Sequence, residues 1–155
     1  MTSNIKIIKI NSEISSIILN EPKTYNSLSF KNLIDLLKAL KKLDADNKVK
    51  VIIIEGEGKG FSAGHNLKEV RGLKKRDRYQ KLFNLCSKVM LQIVEGRKPV
   101  IAKVHGAAFA AGCQLVASCD LAYSTKDALF ATPGVNIGLF CSTPTVSYTH
   151  LTLPT

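Results

Sequence analysis

The first half of the chain alternates short apolar runs with one stripe of apolar residues at helical spacing. Isoleucines among the first ten residues predict a strand, and residues 14–19 predict its hairpin partner. Beyond a turn that contains Pro22, Ser29 is suited to cap a helix, and the apolar positions that follow recur at helical spacing: Phe30, Leu33, Ile34, Leu37 and Leu40. Residues 49–54 are mostly β-branched and apolar, so a buried strand is predicted there.

A strand, a helix and a second strand in this order indicate an α/β protein with parallel layering. The glycines at 56, 58 and 60 do not form a dinucleotide loop, because the third glycine of that motif would stand at position 61, which is Phe61. A basic stretch, residues 68–81, is expected to be solvated and mobile. The second half then predicts a longer helix ending near Gly96, a short helix over 112–118, and strands over 100–104, 121–124 and 129–131.

The composition limits the class of protein. The chain has 155 residues, of which 45% are hydrophobic and 22% charged, and this suffices for one packed domain and excludes wholesale disorder. No apolar run approaches the roughly 20 residues that cross a bilayer, and residues 1–10 resemble neither a signal peptide nor a transit peptide. We therefore expect a soluble protein with no membrane partner, in the cytoplasm or, if the source is eukaryotic, in the mitochondrion.

The cysteines and the net charge limit which metals and ligands the protein is expected to bind. The cysteines lack the spacing of a zinc site or a disulfide scaffold, so no metal is expected and they are interpreted as buried thiols: Cys86, Cys113, Cys119 and Cys141. Residues 1–103 carry a net charge of +11 and residues 104–155 carry −1, which favours a phosphorylated partner, either nucleic acid or a phosphate-bearing cofactor. Because no nucleic-acid-binding signature accompanies the charge, the nucleic-acid interpretation is the weaker one.

Three runs of residues point to a known family. They are residues 61–68 (FSAGHNLK), which follow the buried strand, residues 105–114 (HGAAFAAGCQ), which lead into the short helix, and residues 131–134 (ATPG). Together with residues 19–23 (LNEPK), their order and separation resemble the crotonase, or enoyl-CoA hydratase/isomerase, superfamily. The resemblance covers residues 5–144.

Within that superfamily, residues 111–120 and 131–144 are most similar to the subgroup called enoyl-CoA hydratase domain-containing protein three. The resemblance implies a ClpP-like spiral of ββα units, truncated here before the C-terminal helices. It also implies an acyl-CoA substrate, a coenzyme A thioester, with no tightly bound cofactor. At full length the protein is expected to form a homo-oligomer, either a trimer or a hexamer.

The chemistry of this family needs fixed donors for an oxyanion. A thioester carbonyl becomes an enolate only if its oxygen meets hydrogen-bond donors, and backbone N–H groups in tight turns can supply them. By motif position, the resemblance assigns these donors to the N–H groups of His65 and Ala111, the second at the start of the short helix. It also implies contacts with the substrate and its CoA portion by Ala63, His65, Asn66, Leu67, Lys68 and Ala111.

Two positions depart from the hydratase pattern. Family hydratases carry one glutamate in the helix after the second donor and another just after the third run, where the pair positions and deprotonates water. This chain has Gln114 and Gly134 there. Gln114 can orient a water or a carbonyl by hydrogen bonding, but its amide accepts no proton at neutral pH. We therefore expect a retained oxyanion framework with an uncertain reaction, in which Gln114 is the tentative assistant.

Several alternatives stay open at this stage. The protein could be a non-catalytic acyl-CoA binder or regulatory subunit, or, less favoured, a nucleic-acid-binding module. A hydrolase with Ser62 or Cys113 as nucleophile and His105 as base ranks last. The imidazole of His65 is more simply interpreted as a loop side chain than as a catalytic group.

The last ten residues do not resemble the family. Residues 146–155 (VSYTHLTLPT) resemble the translation of a sequencing-library transposon adapter. We therefore expect residues 1–145 to be the N-terminal part of a crotonase domain and 146–155 to be a non-native tail. In that case this chain by itself would be inactive.

Overall fold

The protein is described from a computed structural model that covers residues 4–138. Cys141 and the predicted tail lie outside the described residues. Seven strands and four helices follow one another within them: β1 (Ile5–Lys9), β2 (Ile14–Leu19), α1 (Phe30–Ala45), β3 (Val51–Gly56), α2 (Leu67–Gly72), α3 (Arg76–Val94), β4 (Val100–Val104), β5 (Ala107–Phe109), α4 (Ala111–Ala117), β6 (Leu121–Ser124) and β7 (Leu129–Ala131). Two short 3₁₀ turns cover Pro22–Thr24 and Pro133–Ile137.

The main sheet has the order β1-β2-β3-β4-β6, and β5 pairs with β7 in a second, two-stranded sheet. The predicted hairpin is present: β1 and β2 are antiparallel, and Asn11 Oδ1 closes their turn by accepting from the backbone N–H groups of Glu13 and Ile14, each at 2.8 Å. The strands β2, β3, β4 and β6 are mutually parallel, as the strand-helix-strand pattern predicts. The segments that follow β3 and β4 therefore both begin at the same edge of the sheet, where the carboxyl ends of these strands lie.

The helix α1 has the predicted start but a shifted buried face. Ser29 Oγ accepts from the Asn32 N–H at 3.2 Å, which is the expected cap. The fully buried positions are Leu33, Leu36 and Leu40, whereas Phe30 is 38% exposed. Phe30 is in the first helical turn and lines a groove beside α2 and α3, so the hydrophobic spacing alone placed it on the wrong face.

The basic stretch, residues 68–81, is largely helical. Asn66 Oδ1 accepts from the N–H groups of Lys68 (3.1 Å) and Glu69 (3.2 Å), which caps α2. Glu69 Oε2 in turn accepts from the Phe30 N–H at 3.0 Å and ties α2 to α1. The stretch is mostly exposed, as predicted, and its mobility stays a prediction. Its helical start follows from an Asn three residues before a Glu, which is a helix-start signal.

Across residues 4–138, no helix is both long and apolar enough to cross a membrane. The same part of the chain contains no cluster of three or more His, Cys, Asp or Glu side chains arranged to hold a metal ion.

Candidate active site

Two backbone segments lie side by side at the end of the parallel sheet. The Ser62 N–H donates to the Ala107 carbonyl at 3.0 Å, and the Phe109 N–H donates to the Ser62 carbonyl at 2.8 Å. At Gly112 a Cβ atom would lie 2.3 Å from the Ser62 carbonyl oxygen. This position therefore requires glycine, and the close approach brings the start of α4 against the 62–65 loop.

The first predicted donor, the His65 N–H, has a fixed direction. The Leu28 N–H donates to the Gly64 carbonyl at 2.7 Å, and this carbonyl belongs to the same peptide as the His65 N–H. In a trans peptide the carbonyl and the N–H point in opposite directions, so the His65 N–H points away from Leu28. Within residues 4–138 it donates to no backbone or side-chain acceptor.

The second predicted donor, the Ala111 N–H, is oriented in the same way. The carbonyl of its peptide, that of Ala110, accepts from the Gln114 N–H at 3.0 Å. Ala110 has φ 49° and ψ −120°, a strained conformation for a residue other than glycine. The Ala111 N–H, the first of α4, finds no acceptor in the described part of the chain either.

The two N–H groups are on facing segments. Gly64 has φ 83°, and a Cβ atom at Gly64 would lie 2.9 Å from the Ala111 nitrogen and 2.8 Å from the Phe109 oxygen. The peptide that carries the first donor is therefore in contact with the residues that carry the second. Because α4 has only seven residues, its dipole is a minor contribution beside two directed N–H groups.

Buried polar side chains hold the 62–65 loop in place through hydrogen bonds. Ser62 is fully buried, and its Oγ donates to the Asn26 carbonyl (2.9 Å) and accepts from the Gly64 N–H (3.2 Å). The Asn26 amide donates to the carbonyls of Glu57 and Gly60, both at 2.9 Å. Asn26 itself is in a left-handed backbone conformation, with φ 53°, and its side chain holds the residues that lead into the 62–65 loop. Neither Ser62 nor Asn26 was identified as structural support from the sequence.

Two buried side-chain atoms in this region have no hydrogen-bond partner among the described residues: His65 Nε2 and Gln114 Oε1. Burial without a partner costs about 1–3 kcal/mol for each such atom, which makes both atoms candidates for contact with a ligand or a water. Burial lowers the pKa of His65, although the contact of its Nδ1 with the Leu28 carbonyl (3.3 Å) and the Glu69 carboxylate partly oppose this. Burial of the ring therefore favours its neutral form.

The residues predicted to contact CoA lie together after the first donor. Ala63, Leu67 and Lys68 are exposed, and Leu67 and Lys68 are in the first turn of α2. The Asn66 side chain is occupied by capping that helix. What the sequence did not predict is that this surface is the start of a helix and borders a groove of about 240 Å³, lined by Phe30, Glu69, Leu73, Arg78, Lys81 and Leu82.

Ionisable and nucleophilic groups near the site are few. The segments 58–66, 105–119 and 128–138 contain no Asp or Glu, and Gly134 lies in the second 3₁₀ turn. Burial raises the pKa of both Cys86 and Cys119 to about 12, so these thiols stay protonated. The hydrolase alternative loses support, because Ser62 Oγ donates to a backbone carbonyl and His105 Nε2 contacts the Gly58 carbonyl at 2.7 Å.

Comparison with known proteins gives one consistent result. The family model described as enoyl-CoA hydratase/isomerase matches residues 9–153. The human mitochondrial enoyl-CoA hydratase domain-containing protein 3 is 53% identical over 138 residues, which is 86% of this chain and 44% of the relative. The crystal structure of that human protein superposes with a TM-score of 0.91 at 46% identity, over 96% of this chain and 58% of that one.

A crystal structure of an enoyl-CoA hydratase from Mycobacterium smegmatis superposes with a TM-score of 0.93 at 45% identity, again over 96% of this chain and 58% of that one. The crotonase fold expected from the sequence is thereby confirmed, as is the similarity to the predicted subgroup. This chain spans about half the length of the curated relatives that it matches.

Proposed function

Because the chain belongs to the enoyl-CoA hydratase/isomerase family, we propose that it binds the carbonyl oxygen of an acyl-CoA thioester between the His65 and Ala111 N–H groups. The observation that carries this proposal is the orientation of the two N–H groups. In each donor peptide the carbonyl accepts a hydrogen bond, from the Leu28 N–H or from the Gln114 N–H, and the N–H at the other end has no protein acceptor among the described residues. Two such donors stabilise the negative charge that develops on the oxygen when the thioester becomes an enolate. In other enzymes the loss of one donor costs about 2.7–4 kcal/mol of this stabilisation.

The reaction that we propose is enoyl-CoA hydration or isomerisation without the usual pair of glutamates. In hydration, a water oxygen bonds to the β-carbon and the π electrons of the double bond shift toward the carbonyl, so that an enolate forms. One O–H bond of the attacking water breaks, and its proton ends on the α-carbon as the enolate collapses back to the thioester. Gln114, with its unpartnered Oε1, is the group that we propose orients the water, since it is buried beside the second donor. It holds the water by hydrogen bonding but takes no proton from it.

The CoA portion would lie over the start of α2. The exposed Lys68 ammonium and the N–H groups of Asn66 and Leu67 are available there, and Ala63 is exposed. A lysine ammonium forms charge-assisted hydrogen bonds with phosphate, so Lys68 is suited to the phosphate groups of CoA. The net charge of +10 supports the same type of ligand.

A second candidate is a non-catalytic acyl-CoA binder or regulatory subunit. The observation that favours it is the absence of Asp and Glu from the three segments that form the site, since a general acid and base contribute roughly 10² to 10⁴ in rate. The two candidates share the binding mode and differ only in turnover.

We also propose that residues 1–145 are the N-terminal part of a longer crotonase domain that assembles as a trimer or hexamer, and that 146–155 are a non-native tail. The match to about half of each curated relative supports a longer domain, whereas the family match reaches residue 153 and does not support the division at 145. Those relatives are named as mitochondrial proteins, and for this protein we propose the mitochondrion in a eukaryotic source and the cytoplasm otherwise. The uninterrupted gene beyond Pro144, light scattering of its product and cell fractionation test these three statements.

A matched pair of ligands tests the binding mode. One ligand is an acyl-CoA thioester, and the other is the same acyl-CoA as a thioether, in which a methylene replaces the carbonyl. Calorimetry on the product of the uninterrupted gene should give at least about tenfold tighter binding of the thioester, because only the thioester accepts the two hydrogen bonds. Equal affinities would remove the support for an oxyanion site.

Turnover then separates the two candidates. We expect slow hydration of short or medium enoyl-CoAs, and at least about tenfold slower hydration by Gln114→Ala with nearly unchanged thioester affinity. Gln114→Glu, which is nearly isosteric and supplies one carboxylate, is the matched variant and should hydrate faster than the wild type. Tight thioester binding without turnover in all three proteins would favour the non-catalytic binder.

A further inference from the structure

We propose that the His65 imidazole is a positioning group that holds its own backbone N–H at the oxyanion site, and that it does so only when it is neutral. The inference rests on the proposed function, since it concerns the first of the two donors. It assigns a role to a side chain whose backbone alone was implicated by the sequence.

Two contacts with one residue hold the peptide that carries the donor. The Leu28 N–H donates to the Gly64 carbonyl at 2.7 Å, and the His65 Nδ1 lies 3.3 Å from the Leu28 carbonyl. These contacts are on either side of the 64–65 peptide and close a small ring with Leu28. Gly64, at φ 83°, is conformationally permissive, so without the second contact this peptide could rotate and turn the N–H away.

A third contact fixes the plane of the ring. The imidazole meets Phe83 of α3 in a T-shaped arrangement, with 5.4 Å between ring centroids and an interplanar angle of 86°. The side chain of His65 thereby connects the donor peptide to the residue that precedes the cap of α1 and to the middle of α3.

The hydrogen-bonding pattern selects one protonation state. Because Leu28 offers a carbonyl, Nδ1 must carry the proton, and Nε2 of the neutral ring is then an acceptor. Protonation would add a buried Nε2–H with no acceptor among the described residues. Burial accordingly lowers the pKa of His65.

The charged groups around the ring do not reverse this preference. Among the described residues, Glu69 of α2 is the charged side chain that acts on the imidazole, and it favours the protonated form. The contact from α3 is the uncharged Phe83, and the contact from Leu28, ahead of α1, is a backbone carbonyl. A ring that has left this site has the ordinary histidine pKa of about 6.5 and becomes protonated below that pH. Lowering the pH therefore favours the state in which the ring is out of the site, and thioester affinity should fall.

Three variants test the role of the ring, all with the thioester and thioether pair. His65→Asn places an amide N–H near the position of Nδ1 and introduces a side chain that does not titrate. His65→Ala keeps the backbone N–H and removes both contacts of the ring. His65→Gln, whose amide reaches the position of Nε2 instead, is the matched control for side-chain size and polarity.

At pH 8 we expect His65→Ala and His65→Gln to lose about tenfold in thioester affinity, and His65→Asn to recover most of that loss. The wild-type thioester affinity should fall between about pH 7 and 5, whereas that of His65→Asn should stay level. The thioether affinity should change little in any of them. A ring that served only packing would be replaced equally well by Gln and Asn and would give no difference between the two ligands.

A second readout is independent of the ligand and keeps the two proposals distinguishable. Nitrogen NMR of the imidazole should show the Nδ1–H form, and amide exchange at Leu28 should accelerate in His65→Ala but not in His65→Asn. If the wild type does not distinguish thioester from thioether, the proposed function fails, and the exchange experiment still decides whether the ring orders the loop. An Nε2–H form, or wild-type exchange at Leu28 in His65→Ala, would overturn the role of the imidazole.

Discussion

The site segments and the outer strands of this protein have opposite surroundings. Phe61, Ser62 and Ala108 are fully buried, and backbone hydrogen bonds join Ser62 to Ala107 and Phe109. Every residue of β6 is exposed, with Tyr123 at 69%, and in β7 Leu129 is 61% exposed. The two candidate site segments are thus packed against each other within the described residues, whereas apolar side chains of β6 and β7 face solvent. This difference supports the proposal that the chain is part of a longer domain.

The largest effect is expected where the two site segments touch. In Gly112→Ala the new methyl group would lie 2.3 Å from the Ser62 carbonyl oxygen and 2.8 Å from the Ser62 Cβ. Since backbone must move to relieve this, we expect a loss of about 3 kcal/mol or more in the free energy of unfolding, together with loss of thioester affinity. Urea denaturation measures the first and calorimetry the second.

Gly72→Ala is the matched control, because a Cβ atom at Gly72 meets no atom within 4 Å. Its unfolding free energy should stay within about 0.5 kcal/mol of the wild type. Similar losses for both glycines would mean that the close approach of the two segments is not as described.

A somewhat smaller effect is expected at Asn26, whose side chain holds the residues that lead into the 62–65 loop. Asn26→Ala removes three hydrogen bonds, to the carbonyls of Glu57 and Gly60 and from the Glu21 N–H, at a residue that is 2% exposed. It also places alanine at a φ of 53°. We expect a loss of about 2–4 kcal/mol by thermal or urea unfolding. Asn47→Ala, at an exposed loop asparagine, should change it by no more than about 0.5 kcal/mol, and a similar loss there would contradict the assignment.

Ala110→Gly is expected to stabilise the protein slightly. Ala110 holds φ 49° and ψ −120° directly before the second donor, and glycine adopts this conformation without the steric cost. After the entropic cost of a glycine in the unfolded chain, a net gain of about 1 kcal/mol remains, with thioester affinity retained. A destabilised Ala110→Gly would show that the residue is not under strain.

The smallest effect on stability is expected at the exposed edge. In the 155-residue chain, Tyr123→Ser should change the unfolding free energy by no more than about 0.5 kcal/mol. Self-association of the 155-residue chain should decrease, because exposed apolar side chains on an edge strand favour non-native pairing. Analytical ultracentrifugation measures this, and a large loss of stability would instead assign Tyr123 to the core.

The local patterns of the sequence predicted most elements but little of what orients the site. The hairpin, the cap at Ser29 and the strand β3 follow from periodicity and turn residues that are close in the chain. The strand covers 51–56 and not 49–54, and it is buried at Ile52 and Ile54 and not throughout. The contacts of Leu28 with Gly64 and His65 join residues more than thirty positions apart, and no local pattern encodes them. The same is true of Asn26, which reads as an ordinary turn residue although its side chain holds a loop near Gly60. The resemblance to a family indicated which segments matter, and the packing determined how their N–H groups point.

The most direct test of the account is to observe the two amides themselves. In nitrogen–proton spectra of the labelled protein, the His65 and Ala111 N–H resonances should both move downfield when an acyl-CoA thioester binds and should move little with the thioether analogue. Such a result would place the thioester carbonyl between the two donors. Thioester binding that leaves both resonances where the thioether leaves them would contradict the central claim.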